Sequence, residues 1–78
     1  SLAPNQGLMH KVGLVANAWR FSPEQDTADT APLTQEINAA SQAMIHDAGA
    51  GDLDAEGLLS KIAGATSLME RRKKLHRV

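Results

Sequence analysis

Seventy-eight residues, with eight Lys or Arg against nine Asp or Glu and a net charge of −1, leave room for one small domain. The absence of cysteine excludes disulfides and thiolate metal sites, and no apolar run is long enough to span a bilayer. Trp19 and Phe21 are the only aromatic residues, so Ala, Leu and Met, all good helix formers, carry the apolar content.

The first predicted helix covers about residues 7–19. Leu8, Val12, Val15 and Trp19 recur at steps of four, three and four, with Met9 and Ala16 widening the stripe. Gly13 in its middle costs about 1 kcal/mol relative to Ala. Trp19 is read first as a core anchor and second as an interface anchor. The run Ser22-Pro23-Glu24-Gln25 then reads as a single capped turn, with Ser22 as N-cap and Pro23 at the first helical position. Asp26 to Thr30 show no apolar periodicity, which predicts a polar connector ending near Pro32.

A second helix is expected over about 33–48, with Leu33, Ile37, Ala40, Met44 and Ala48 facing inward and Ile45 alongside. Gln35, Asn38, Ser41 and Gln42 fall elsewhere on its surface, and Gly49-Ala50-Gly51 should end it in a left-handed turn. A third helix is expected over about 53–75, capped by Asp52 or Asp54, with Glu56 at the favourable end of the helix dipole. Its stripe is Ala55, Leu58, Leu59, Ile62, Ala65 and Met69, with Leu68 beside it. These elements predict an all-α protein: a small helical bundle made of an antiparallel hairpin (33–48 and 53–75) and a shorter N-terminal helix laid across it. Residues 1–78 read as one domain with flexible ends at 1–6 and 76–78. Ser1-Leu2-Ala3-Pro4 has neither the basic nor the apolar part of a signal peptide, and the chain reads as a possible fragment of a longer one.

The charges are segregated along the chain. Phe21 to Ser60 contain no base and eight acids: Glu24, Asp26, Asp29, Glu36, Asp47, Asp52, Asp54 and Glu56. Lys61 to Val78 contain Lys61, Arg71, Arg72, Lys73, Lys74 and Arg77 against the single acid Glu70. Part of this polarity serves the dipole of the third helix; the remainder predicts contact with an oppositely charged surface.

Motifs for chemistry are weak. Asp52, Asp54, Glu56 and Gly57 match the opening of a calcium loop, but the closing bidentate acid is replaced by Ala63 and the apolar spacing demands helix there. His10, His46 and His76 have no partner at metal-ligand spacing, and His46-Asp47 has no nucleophile in a recognisable context. Gly49-Ala50-Gly51-Asp52 lacks the lysine of a phosphate loop, and its acids would repel an anion. A helix-turn-helix would begin its recognition helix with acids.

The expected protein is therefore a non-enzymatic, cytoplasmic interaction or assembly module with no cofactor and no metal. Arg71, Arg72, Lys73, Lys74 and Arg77 form its basic contact group, and Asp47, Asp52, Asp54 and Glu56 its acidic face. A protein partner or a homo-oligomer built by matching these groups is the first expectation. A nucleic-acid regulator using the basic tail is the second.

Overall fold

The computed structural model describes residues 6–50 and 54–76. Three helices follow one another: α1 (Gln6–Ala18), α2 (Ala31–Ala50) and α3 (Ala55–His76), with a 3-10 turn (Pro23–Gln25) between α1 and α2. The all-α bundle expected from the apolar spacing is present, and no strand occurs among the described residues.

The helix starts follow local chemistry. Asp54 caps α3: its side chain accepts a hydrogen bond from the Gly57 amide, and its carbonyl accepts the first helical bond from Leu58. Asp52, the other expected cap, lies outside the described residues. Thr30 holds the start of α2. Its carbonyl accepts from the Thr34 amide at 3.0 Å, while its hydroxyl accepts from the Thr27 amide at 2.8 Å. α2 thus starts two residues earlier than the spacing suggests, with Pro32 inside the first turn, where its missing N–H removes no helical bond. Ser22 occupies the N-cap position of the 3-10 turn, but its side chain makes no capping bond. Gly49 continues α2 to Ala50 rather than ending it, so the expected left-handed turn is not at Gly49. Gly51 lies outside the described residues.

α2 is the central element. Its contacts with α1 and with α3 are both far more extensive than any between α1 and α3. Val12 packs with Met44 and Ala48 near the end of α2, whereas Phe21, just after α1, bonds to Asn38. α1 therefore runs antiparallel to α2 and covers its C-terminal half. The connector continues in the same direction past the N-terminal half of α2, against the far end of α3. The first helix lies alongside the hairpin rather than across it.

Flanking by two helices buries more of α2 than one stripe. Ile37 and Met44 are wholly buried, as expected, but so are Thr34 and Ser41, while Ala40 is half-buried. Ser41, read from the sequence as a surface residue, satisfies its hydroxyl by donating to the Ile37 carbonyl at 2.9 Å. The remaining core consists of Val12, Ala16, Leu33, Ala48, Leu58 and Ala65, with Trp19 and Ile62 packed against it.

Gly13 and Gly64 lie in helix interiors, and a Cβ added at either meets nothing within 4 Å. Each Gly→Ala replacement should therefore raise stability by about 0.5–1 kcal/mol. Urea denaturation should show a higher midpoint with an unchanged slope.

Candidate interaction surface

Two features of the bundle stand out, a buried polar clasp and an open apolar groove. The first is a polar clasp that locks the connector to the helices. Arg72, expected among the solvent-facing contact cations, points inward instead, and its side chain is 8% exposed. Its Nη2 donates to Asp26 Oδ1 at 2.7 Å, and its Nε donates to Thr34 Oγ1 at 2.6 Å and to Asp26 Oδ1 at 3.1 Å. Thr34 Oγ1 in turn donates to the same carboxylate oxygen at 2.7 Å. The guanidinium also lies 4.2 Å from the centroid of the Phe21 ring, a cation–π contact in a largely desolvated place. Asn38 holds Phe21 there with both ends of its amide. It accepts from the Phe21 N–H and donates to the Phe21 carbonyl, each at 3.0 Å.

Burial pushes the Asp26 carboxyl up, but hydrogen bonds from Thr34, Arg72 and Thr30 and the charge of Arg72 outweigh it. The net effect holds this carboxyl below its ordinary value of 3.8. Folded Asp26 therefore binds its proton more weakly than unfolded Asp26. Its stabilising contribution is fully present above the unfolded value and is lost as pH falls through the lower folded one. Melting temperatures measured downward from pH 5 should fall along an acid limb that Asp26→Asn flattens.

The second feature is an apolar groove between α1 and α3. It encloses about 240 Å³ and is lined by Val12, Val15, Leu58, Leu59 and Ile62, with Lys11 at its edge. It exists because the stripe expected on α3 splits into two seams. Leu58, Ala65 and Arg72 turn into the bundle and are buried. Leu59 turns away and is 65% exposed, and Ile62 and Met69 are half-buried between the two directions. Ala55, Leu59, Ile62, Thr66, Met69 and Lys73 follow one another at steps of four, three, four, three and four, the spacing of a coiled-coil seam. α1 flanks this seam only along the first half of α3.

The charged groups expected to make contacts fall into three sets. Arg71, Lys73 and Lys74 are exposed at the end of α3, with Lys73 Nζ 3.9 Å from Glu70. Glu56 and Asp54 are exposed at its start. Asp47 is already paired with Lys61 inside the molecule and lies 3.6 Å from His46 Nδ1. Arg77 and Asp52 lie outside the described residues. Trp19 is half-buried against the core, as its first reading requires. His76 Nε2 lies 3.9 Å from Asp26 Oδ1, so the one described histidine on α3 faces the clasp. Among the described residues, no three His, Asp or Glu side chains are grouped so as to hold a metal ion. No described helix is long and apolar enough to cross a membrane.

A second hollow, of about 350 Å³, lies between the connector and α2 and is lined by Pro23, Ala28, Ala31, Pro32, Thr34, Gln35 and Asn38. It adjoins the clasp and carries no cationic or nucleophilic group beyond the committed Thr34 hydroxyl.

No protein-family model, curated protein or solved structure matches this chain.

Proposed function

We propose that this chain is a non-enzymatic protein-interaction module, suited to a reducing cytoplasm, that assembles with copies of itself through the open face of α3. The observation that carries this reading is the groove between α1 and α3. Its walls are apolar, it is continuous with a half-exposed seam, and it is bounded by acids at one end of α3 and bases at the other. A chain of this length has a small core, and covering such a seam with a second helix adds the apolar burial that the isolated fold lacks.

Of the expected basic group, Arg71, Lys73 and Lys74 remain for intermolecular contact, because Arg72 is committed to Asp26. Static light scattering in about 50 mM salt should show a mass above that of the 8.3 kDa chain. Lys73→Glu combined with Lys74→Glu should lower it towards the single-chain value and remove its dependence on salt. A mass equal to one chain in both proteins at every salt concentration contradicts the reading. The same exposed cations also suit a phosphate backbone, a second reading favoured by their clustering at one helix end. Labelled duplex DNA titrated in the same salt series tests it, and self-assembly predicts no binding that falls steeply with salt.

A further inference from the structure

Resting on the reading just proposed, we infer that the occupant of the groove is α3 of a second copy, lying antiparallel across a two-fold axis that passes between Ile62 and Thr66. The register follows from the seam. A helix seam that meets its own copy across a two-fold must map onto itself. The pattern from Ala55 to Lys73 does so when Ile62 faces the partner's Thr66 and Leu59 faces the partner's Met69. Ala55 then faces the partner's Lys73, so every residue of the seam has an opposite number.

The charges at the two ends of α3 suit the same register. With the seam so aligned, Asp54 stands at the level of the partner's Lys74, and Glu56 beside the partner's Lys73. Each acidic helix start thus meets a basic helix end, and the antiparallel dipoles add to the match. Sliding the partner by one heptad leaves the seam ends uncovered and separates Asp54 from Lys74. A parallel arrangement sets Lys73 and Lys74 against themselves.

The geometry also uses α1. Because α1 flanks only the first half of α3, the groove it forms there is open to the second half of the partner's helix, which has no α1 of its own beside it. Two such insertions related by the two-fold place α1, α3 and their copies in a four-helix layer with both grooves filled.

The absence of cysteine makes the register directly measurable. Leu59→Cys and Met69→Cys chains, prepared separately, would be mixed under mild oxidation, and each would also be oxidised alone, with sedimentation of the unmodified chain alongside. The inference predicts a two-chain mass, a mixed L59C–M69C disulfide as the main product, and little product from either variant alone. A two-chain mass with L59C joined to itself, or with no cross-link in the mixture, overturns the antiparallel register and leaves the self-assembly reading standing. A single-chain mass throughout overturns both.

Discussion

Replacing Arg72 with alanine should lower the melting temperature by about 15 °C or more. The substitution leaves the Asp26 carboxylate in place, 2% exposed, with its counter-charge gone. Breaking one side of a buried ion pair costs about 3–5 kcal/mol, and about 4–8 °C accompanies each kcal/mol in a domain of this size. The loss is larger than that of a typical surface cation because three contacts go at once: the ion pair, the bond to Thr34 and the stacking on Phe21. Arg72 also joins the far end of α3 to the connector, so its removal loosens that end of the helix, while Asn38 and Thr34 still hold Phe21 and Asp26 to α2. Thermal denaturation followed by circular dichroism measures the effect. The double replacement Asp26→Leu with Arg72→Met removes both charges and should recover most of the lost stability, since a well-packed apolar pair often matches a buried ion pair. Recovery separates the cost of an orphaned charge from the cost of lost packing volume.

Leu59→Glu should have the opposite profile, leaving the single chain intact while abolishing assembly. Leu59 is 65% exposed and contributes little to the core, so helicity and the melting temperature extrapolated to low concentration should change little. In a two-fold dimer the substitution acts twice, once in each copy, and it places a carboxylate in an apolar seam. Loss of about 1.5 kcal/mol or more per side corresponds to at least about a hundredfold weaker association. Thr66, also exposed and at the centre of the seam, offers a second site: Thr66→Glu should weaken association without touching the groove wall contributed by α1.

The helices themselves were legible because their determinants are local. Asp54 before α3 and the spacing of Val12, Ile37, Met44 and Leu58 act within a turn or two of the chain, whereas Thr30, which reads as part of the polar connector, holds the start of α2 and explains its beginning two residues early. Arg72 shows where local reading stops. In sequence it is one of four consecutive bases at a helix end, and nothing nearby distinguishes it from Lys73. It sits seven residues after Ala65 and fourteen after Leu58, however, so it belongs to the buried seam by position. The periodicity carried that signal, but the charge of the side chain obscured it. Its partner Asp26 lies 46 residues away in a connector without apolar pattern, and a pairing at that separation has no signature in one sequence.

Leu59 illustrates the converse. It fits the apolar stripe of α3 and was expected inside, yet α2 covers only the side of the helix that carries Leu58, Ala65 and Arg72. An apolar stripe wider than one neighbour can cover predicts a second neighbour, and the sequence does not say whether it belongs to the same chain. α1 supplies part of that cover, leaving the groove lined by Val15, Leu59 and Ile62. The charge segregation is visible in the sequence, but two pairs within it are internal: Asp47 with Lys61, and Arg72 with Asp26. Of the charged groups expected to make contacts, Asp54, Glu56, Arg71, Lys73 and Lys74 are exposed among the described residues and available to a second copy.

Sedimentation equilibrium of the unmodified chain and of Leu59→Glu, over about a hundredfold range of concentration in low salt, decides whether the exposed seam of α3 joins two chains. The unmodified chain should approach twice 8.3 kDa as concentration rises, while Leu59→Glu stays at 8.3 kDa. An unmodified chain that remains at 8.3 kDa across the range, or a Leu59→Glu variant that assembles as strongly, contradicts assembly through this seam.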